Sequence, residues 1–194
     1  MTTPAALASV GEDRIVVLHG FEPAWPGARL LGPAFTAQGA PGDNLALHHA
    51  VAQAAAGDVI VLAVGGARGR AHCGGIMASA ARARGIAGLV VDGAVRDLAE
   101  LEEIGLPVFH RGVSPLKPGK DGPASLRVPV EIDGARIEPG DLIAADADGV
   151  VVVCRAHADE LLAAAVALEA REREILSRIE GGETSLEIYG YEPL

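Results

Sequence analysis

The stretch from Gly74 to Asp97 constrains the fold of this chain most strongly. With Cys73 in front, it reads CGGIMASAARARGIAGLVVDGAVRD. Two glycines leave backbone N–H groups unobstructed at the start of a helix predicted over Ile76–Arg84, and Gly85 ends that helix. Because the positive end of a helix dipole attracts anions, the start of this helix is predicted to bind a carboxylate or a phosphate.

A buried strand and a charged turn follow this helix. Leu89, Val90 and Val91 form a short apolar run, which is typical of a strand covered on both faces. Beyond it, Arg96 can hold a carboxylate by two parallel hydrogen bonds, and Asp97 can hold a cation. Since sites form at strand ends in such sheets, the turn is predicted to carry an active site.

A purely structural interpretation of the same turn stays open. The run Asp97-Leu98-Ala99-Glu100 fits a capping box, in which Asp97 would cap the next helix. Arg96 would then pair with Glu100 on the surface. The spacing alone does not decide between a helix cap and a ligand site.

The composition favours one compact domain over residues 1–194 and argues against several functions. The chain is 49% hydrophobic but only 3% aromatic, so small aliphatic residues must fill the core. Its formal charge of −10 disfavours nucleic-acid binding. No apolar run approaches the roughly 20 residues of a membrane span, and no signal-peptide pattern begins the chain. We therefore expect a cytoplasmic protein that binds neither nucleic acid nor membranes.

The N-terminal half predicts strands that alternate with helices. Asp43 is expected to cap a helix that runs to Ala56 and contains His48 and His49, neither of which is favoured as a metal ligand. The first few residues are expected to be loose. Strands are predicted at Arg14–Leu18, Leu30–Thr36 and Val59–Ala63.

A glycine-rich loop is predicted from Gly65 to Gly75, before the helix described above. Together with the flanking strands it imitates a dinucleotide-binding unit, in which Asp92 would bind a ribose. The loop contains neither G-x-G-x-x-G nor G-x-x-x-x-G-K-[ST], so this interpretation is only an alternative.

After Asp97, a helix through Ile104 and a strand at Pro107–Phe109 lead to a Pro/Gly-rich loop at Ser114–Pro123. This loop, predicted to be a lid or a simple connection, holds both lysines of the chain, Lys117 and Lys120. A Schiff-base lysine needs a dry pocket, which neither lysine is expected to have, so imine chemistry is disfavoured.

The C-terminal half predicts an antiparallel unit followed by a long helix. Apolar residues alternate from Leu126 to Ile132, and Asp133-Gly134 forms a hairpin turn. Cys154 is expected to end a buried strand as a small apolar residue, and with Cys73 it forms no C-x-x-C motif. Further strands are predicted at Leu142–Ala145 and Val150–Cys154, and a helix at Ala158–Ile179.

Several short motifs accompany the run ARARGIAGLVVDGAVRD that ends at Asp97. They are GPAFT at 32–36, PGDNL at 41–45, GDV at 57–59, PVF at 107–109, PV at 129–130, PGD at 139–141 and DADGV at 146–150. Over roughly residues 30–189 the chain resembles the regulator-of-ribonuclease-activity-A family, and within it the 4-hydroxy-4-methyl-2-oxoglutarate aldolase branch. Residues 1–29 match the family pattern poorly, and residues 156–194 form the C-terminal helix and tail.

The resemblance implies an α/β fold of the RraA-like, swivelling β/β/α type, with a central β-barrel-like sheet flanked by helices. It implies a homotrimer or a dimer of trimers with active sites between subunits. Members of the aldolase branch cleave 4-hydroxy-2-oxo dicarboxylic acids to pyruvate and an oxoacid, using Mg²⁺ or Mn²⁺, and often decarboxylate oxaloacetate. Other members inhibit ribonuclease E by binding to it, so a non-catalytic binding regulator is the alternative.

The resemblance also assigns residues by position. Arg96 would bind the pyruvyl carboxylate and oxo group, and Asp97 would hold the metal. Glu172 of an adjacent subunit would be a further acid near the metal, with Glu174 as the fallback. The substrate carboxylate would lie against the start of the helix, at Gly74, Gly75, Ile76 and Met77.

One residue departs from the aldolase pattern. That branch commonly has an acid separated from the arginine by twenty residues, and Gly75 stands at this position here. The metal would then rest on Asp97, waters and substrate oxygens, which Mg²⁺ tolerates, and His72 is close enough in sequence to compensate. No well-placed His or Lys base is evident, so a metal-bound or ordered water would take the 4-hydroxyl proton in the cleavage, and decarboxylation needs no such base. With Gly75 in place of the acid, decarboxylation is therefore expected to survive better than cleavage.

Overall fold

The computed structural model describes residues 1–192, and helices and strands alternate along much of their length. The helices are α1 (Pro4–Gly11), α2 (Leu45–Gln53), α3 (Gly75–Ala83), α4 (Leu98–Ile104), α5 (Ala158–Glu180) and α6 (Ser185–Tyr189). The strands are β1 (Ile15–Leu18), β2 (Glu22–Pro23), β3 (Leu30–Gly39), β4 (Val59–Cys73), β5 (Gly88–Val95), β6 (Val108–Val113), β7 (Ala124–Leu126), β8 (Val130–Ile132), β9 (Ala135–Ile137), β10 (Leu142–Asp146) and β11 (Gly149–Val153). The predicted α/β class, with a large central sheet flanked by helices, is confirmed.

A single large sheet has the strand order β1-β11-β10-β3-β4-β5-β6-β2, and β7 pairs with β3 beside it. Strands β3 to β6 run parallel, because α2, α3 and α4 act as the crossovers between them. Strands β10, β11 and β1 extend the sheet in antiparallel fashion, and β8 and β9 form a separate hairpin. The parallel strands place their carboxyl ends along one edge, where ligand sites form in α/β sheets.

The start of β4 shows why its apolar run is continuous. Ile60 and Leu62 pack into a core shared with residues of α2 and α3, whereas Val59 and Val61 pack into a second core that includes residues of the β8–β9 hairpin. All four side chains are buried. Because both faces of the strand are covered, its sequence carries no alternation of polar and apolar residues.

The glycine-rich segment from Gly65 to Cys73 is a strand, which corrects the prediction of a loop. It continues β4 and pairs with β5, with register shifts between Ala63, Ala67, Ala71 and Cys73. Gly65 and Gly66 have φ angles of +67° and +68°, which side-chain-bearing residues rarely adopt. The glycines therefore form bulges, and these local irregularities concealed the strand from sequence patterning.

The N-terminus is also more ordered than expected. Residues Pro4–Gly11 form α1, with Pro4 at its first turn and the Thr3 side chain accepting a hydrogen bond from the Ala6 N–H. Ala6 and Leu7 are buried in a core with residues of α5. The expectation of a loose N-terminus was wrong, since these few apolar residues have a partner helix far away in sequence.

Two predictions for the C-terminal half are corrected. The alternating run from Leu126 to Ile132 is split between β7 and β8, which pair with different strands, and Arg127 between them has a φ of 55°. Cys154 follows β11 and is exposed instead of buried. Among residues 1–192, the structure shows no helix with the length and apolarity that crossing a membrane requires.

Candidate functional site

The carboxyl ends of β4 and β5 bring together the residues that the sequence singled out. Cys73 and Val95 are the last paired residues of the two strands, and the Arg96 N–H donates to the Cys73 carbonyl oxygen at 2.9 Å. Gly74 and Gly75 therefore lie beside Arg96 and Asp97. We call these four residues the site corner.

Asp97 does not cap α4 with its side chain. Its Oδ2 atom accepts a hydrogen bond from the Gly75 N–H at 3.2 Å and lies 3.3 Å from Arg96 Nε. Asp97 has a φ of 60°, a left-handed conformation that costs a residue with a side chain on the order of 1 kcal/mol. The capping box is thus absent, and the ion pair of Arg96 is with Asp97 and not with Glu100. Backbone strain at a solvent-facing acid is typical of functional sites.

The glycine pair allows two carboxylates to approach the start of α3. A Cβ atom on Gly74 would lie 2.5 Å from Asp97 Oδ2, and a Cβ atom on Gly75 would overlap the carboxylate of Glu100. An acid therefore occupies the space in which a side chain of residue 75 would begin. It comes from α4, three residues after Asp97, where sequence spacing suggested only a helix cap.

The donor set of this corner suits a hard divalent cation. The carboxylates of Asp97 and Glu100 supply oxygen atoms at a cradle that a Cβ atom would fill. Mg²⁺ and Mn²⁺ prefer oxygen ligands, and Mg²⁺ usually keeps several waters beside one or two carboxylates. Within residues 1–192, no group of three or more His, Cys, Asp or Glu side chains could hold a metal, so further ligands would have to come from water, substrate or a neighbouring subunit.

A cavity of about 190 Å³ adjoins the site corner. Its walls come from α2, from the start of α3 and from the Pro/Gly-rich loop, and its lining includes Asn44, His48, Met77, Arg96, Lys117 and Lys120. Asp43 fixes the loop, because its Oδ2 atom accepts hydrogen bonds from the N–H groups of Asp121 and Gly122. The loop is thus one wall of a cavity with three cationic side chains. Both lysines are exposed, which agrees with the absence of a dry lysine pocket.

The predicted carboxylate seat at the start of α3 is partly engaged within the chain. The Gly75 N–H bonds to Asp97, and the Met77 N–H bonds to the Gly74 carbonyl oxygen at 3.1 Å. Ile76 is 80% exposed, whereas the Met77 side chain is buried. Gly74, Ile76 and Met77 all line the cavity, so a role in substrate binding stays a prediction.

His72 has a structural role and is not placed to ligate a metal. It is fully buried, its Nε2 atom accepts a hydrogen bond from the Gly42 N–H at 3.0 Å, and Nδ1 lies 3.3 Å from the Ala94 carbonyl oxygen. Burial lowers the pKa of His72 and favours the neutral ring. Because both ring nitrogens are engaged, His72 does not compensate for the glycine at position 75.

The sequence analysis missed Asn44 and recognised no role for His48. The Asn44 side-chain amide donates to the His72 carbonyl oxygen at 3.2 Å, whereas its Oδ1 atom is buried without a hydrogen-bond partner in the described structure. The Nε2 atom of His48 is also buried and unpartnered there. The only signal in the sequence was their spacing of four residues at the start of a helix, which places both on one face.

Asp92, the candidate ribose ligand of the dinucleotide alternative, is buried in an ion pair. Its Oδ1 atom lies 2.6 Å from Arg111 Nε, and its Oδ2 atom accepts from the Gly66 N–H at 2.9 Å. The Arg111 guanidinium also contacts Asp133 and lies 4.3 Å from the centre of the Phe21 ring. Asp92 is therefore not available to a ribose.

Glu172 and Glu174 lie on α5 and are exposed. Neither lines the site cavity of its own chain. The prediction places Glu172 at the site of an adjacent subunit, so the fold of one chain does not test it.

The fold and the site define a class: an α/β protein with an Arg–Asp pair beside two glycines at the carboxyl edge of a parallel sheet. Residues 5–152 match the family model described as "RraA-like: Aldolase/RraA". The chain belongs to the RraA-like family, as the sequence motifs indicated.

Curated relatives agree with this assignment. The chain is 41% identical over 155 residues to a Halalkalibacterium halodurans protein named "Putative 4-hydroxy-4-methyl-2-oxoglutarate aldolase", covering 78% of this chain and 74% of that protein. A Burkholderia mallei protein of the same name is 41% identical over 152 residues, covering 75% of this chain and 92% of that protein.

Solved structures share the fold. An uncharacterized protein from Pseudomonas syringae pv. tomato is 33% identical, with a TM-score of 0.82 and coverage of 94% of this chain and 90% of that chain. The RNA-processing inhibitor RraA from Thermus thermophilis is 28% identical, with a TM-score of 0.73 and coverage of 79% of this chain and 93% of that chain.

Proposed function

We propose that this chain is a divalent-metal-dependent lyase, a class II pyruvate aldolase. Its substrates would be 4-hydroxy-2-oxo dicarboxylic acids of the 4-hydroxy-4-methyl-2-oxoglutarate type, cleaved to pyruvate and an oxoacid, and it would also decarboxylate oxaloacetate. The observation that carries the proposal is the site corner, where Arg96, Asp97 and Glu100 meet at a glycine pair beside a cationic cavity. The names of the curated relatives support the cleavage of 4-hydroxy-4-methyl-2-oxoglutarate.

The charges of the cavity favour a small dianion. Arg96 offers a planar guanidinium that can hold a carboxylate and the adjacent oxo group, while Lys117 and Lys120 line the cavity from the Pro/Gly-rich loop and can attract a further carboxylate. A volume of about 190 Å³ is below the range of drug-sized pockets and suits a small metabolite. An oxo dicarboxylate has the size and charge that these walls favour.

Asp97 and Glu100 are the residues that would hold Mg²⁺ or Mn²⁺. Bound there, the metal would supply the positive charge that stabilises the enolate of pyruvate, the species common to cleavage and decarboxylation. Arg96 adds a second positive charge at the same place and orients the substrate by its carboxylate. We further propose a homotrimer or a dimer of trimers, in which Glu172 of a neighbouring subunit completes the site, in a cytoplasmic enzyme.

The alternative is a binding regulator without catalytic activity. It is favoured by the similarity to the Thermus RNA-processing inhibitor and by the formal charge of −10, which suits a basic segment of a protein partner. The Arg96–Asp97 pair and the adjoining cavity favour the enzyme, because a binding surface needs neither.

The deciding experiment measures pyruvate release from oxaloacetate and from 4-hydroxy-4-methyl-2-oxoglutarate with Mg²⁺, with Mn²⁺ and with EDTA. The variants are Asp97→Asn, which keeps a residue tolerant of the left-handed conformation, and Asp13→Asn, an exposed acid outside the cavity, as the control. We expect metal-dependent turnover that Asp97→Asn abolishes and Asp13→Asn retains. No turnover above the metal-only blank on either acid would favour the binding regulator.

A further inference from the structure

Two polar atoms of the site cavity have no task in the chemistry described so far. Asn44 is 5% exposed, yet its Oδ1 atom has no hydrogen-bond partner in residues 1–192. A buried acceptor left unsatisfied costs about 1–3 kcal/mol, so such atoms call for an explanation. The orientation of this amide is fixed, because its Nδ2 atom donates to the His72 carbonyl oxygen.

His48 lies one helical turn further along α2. Its backbone N–H donates to the Asn44 carbonyl oxygen at 3.1 Å, which shows that the helical turn is closed between them. Both side chains line the cavity, and the Nε2 atom of His48 is buried there without a partner in the described chain. The side chains of Asn44 and His48 therefore lie together on one wall of the cavity, and Arg96, Lys117 and Lys120 line it elsewhere.

This arrangement selects the chemistry of its ligand. The cationic side chains attract carboxylates, whereas the Asn44 oxygen accepts a hydrogen bond and a neutral imidazole can accept one as well. A ligand that matches this wall carries carboxylates and a hydroxyl group whose single proton is shared between the two acceptors in a three-centre hydrogen bond. Among the substrates considered above, the 4-hydroxy-2-oxo acids have that hydroxyl group and oxaloacetate does not.

We propose that Asn44 Oδ1 and His48 Nε2 bind the substrate 4-hydroxyl group, and that His48 accepts its proton during carbon–carbon cleavage. The inference rests on the proposed lyase function and gives to His48 the proton transfer that the sequence analysis assigned to a metal-bound or ordered water. The O4–H electron pair forms the C4 carbonyl, and the C3–C4 bond breaks. The electron pair of the broken C3–C4 bond gives the C2–C3 enolate. The proton on His48 is then available to C3, and its transfer completes pyruvate.

The surroundings of His48 suit this role. Burial lowers the pKa of His48, Lys120 and His49 lower it further, and Asp43 opposes them. The imidazole is therefore favoured in its neutral form near neutral pH, and a general base has to be neutral before it accepts a proton. Asn44 needs no titration, since its amide oxygen only orients the hydroxyl group.

The test compares two reactions in the same protein. Pyruvate release from 4-hydroxy-4-methyl-2-oxoglutarate and from oxaloacetate is measured for wild type, His48→Gln, Asn44→Ser and His49→Gln. His49 is the matched control, because it is the adjacent histidine on α2, is exposed and does not line the cavity. Positioned bases contribute roughly 100-fold or more, so we expect His48→Gln to lower the ratio of cleavage to decarboxylation about 100-fold.

The remaining variants refine the result. Asn44→Ser is expected to lower the same ratio about 10-fold, since it removes one hydrogen bond and no base. His49→Gln is expected to keep the wild-type ratio. An unchanged ratio in His48→Gln, or equal losses in both reactions, would overturn the inference while the proposed function stands. If wild type turns over neither acid, the proposed function fails, and the inference fails with it.

Discussion

Two Asp–Arg pairs lie near the end of β5, and they differ in what they can do. Asp92 lies in the strand and pairs with Arg111 of β6, whereas Arg96 and Asp97 follow the strand. Asp92 and Arg111 approach to 2.6 Å with side chains only 5% and 9% exposed. Arg96 and Asp97, a few residues later in the chain, approach to 3.3 Å with side chains 35% and 36% exposed. The same two side-chain types thus form a closed pair in the sheet and an open pair at its edge.

The difference lies in how many further contacts each pair makes. Asp92 also accepts from Gly66, and Arg111 also contacts Asp133 and the face of Phe21. The closed pair therefore fixes the bulged part of β4 against β6 and the neighbouring loops. Asp97 accepts from the Gly75 N–H, and Arg96 lines the cavity with the rest of its guanidinium available. Burial and the number of further contacts, not residue type, separate the structural pair from the candidate catalytic pair.

The largest expected effect comes from breaking the closed pair. Arg111→Ala leaves the Asp92 carboxylate buried without its partner, which typically destabilises a protein by about 3–5 kcal/mol. Asp97→Asn, in the open pair, is expected to change the unfolding free energy by less than about 1 kcal/mol. Urea unfolding of both variants measures the contrast, and similar losses from the two would show that the pairs do not differ as argued.

A smaller effect is expected from changing the geometry of the open pair while keeping its charge. Arg96→Lys replaces a guanidinium that can hold a carboxylate by two bonds with a point charge, and should raise the transition-state free energy by about 2 kcal/mol. Steady-state measurement of kcat/KM gives this value, with Arg84→Lys at the exposed position just after α3 as the control. Equal kcat/KM for Arg96→Lys and wild type would contradict a carboxylate clamp at this position.

The acid beside the open pair should matter for the metal. Glu100→Gln is expected to weaken Mn²⁺ binding about 10-fold, measured as free Mn²⁺ by electron paramagnetic resonance, whereas the exposed Glu102→Gln should have no effect. Gly75→Asp alone introduces a Cβ atom that overlaps the Glu100 carboxylate. In the double variant Gly75→Asp/Glu100→Ala, residue 75 supplies the carboxylate in place of Glu100. We expect its Mn²⁺ affinity to be near that of wild type. Weak Mn²⁺ binding in that double variant would argue against a single position that a carboxylate of residue 75 or of residue 100 can occupy.

The smallest effect concerns His72, which lies between the two pairs. Its pKa is lowered in the folded protein, so below about pH 6.5 the unfolded chain binds more protons and folding stability is lost as the pH falls. His72→Gln is expected to flatten the pH dependence of the unfolding free energy below about pH 6.5, by at most about 1.4 kcal/mol per pH unit. A wild-type slope in His72→Gln would contradict the prediction.

The sequence predicted the open pair because its determinants are local. A glycine pair, a helix, an apolar strand and Arg96-Asp97 lie within 24 residues, from Gly74 to Asp97, and each has a recognisable pattern. Local patterns also predicted the alternating strands and helices of the N-terminal half and the antiparallel strands of the C-terminal half. The part of β4 from Gly65 to Cys73 was missed because its glycines hide the period of a strand. The pairing with β5 makes this segment a strand despite its loop-like sequence.

The other parts of the candidate site depend on tertiary contacts. Glu100 occupies the space of a residue 75 side chain only because α3 and α4 pack side by side, and the sequence spacing suggested a capping box instead. Asn44 and His48 reach the cavity from α2, and Lys117 and Lys120 from a loop that Asp43 holds. No pattern within one segment could reveal that α2 and this loop line the same cavity.

The left-handed backbone of Asp97 restricts how this position can evolve. Glycine and asparagine adopt that conformation with little strain but carry no charge, whereas glutamate keeps the charge on a backbone that resists the conformation. No replacement retains both properties. A mutation to asparagine or glycine would therefore leave a well-folded scaffold without the charge that the proposed metal site needs, open to recruitment for other purposes, whereas a chain that carries out the proposed reaction has to keep aspartate.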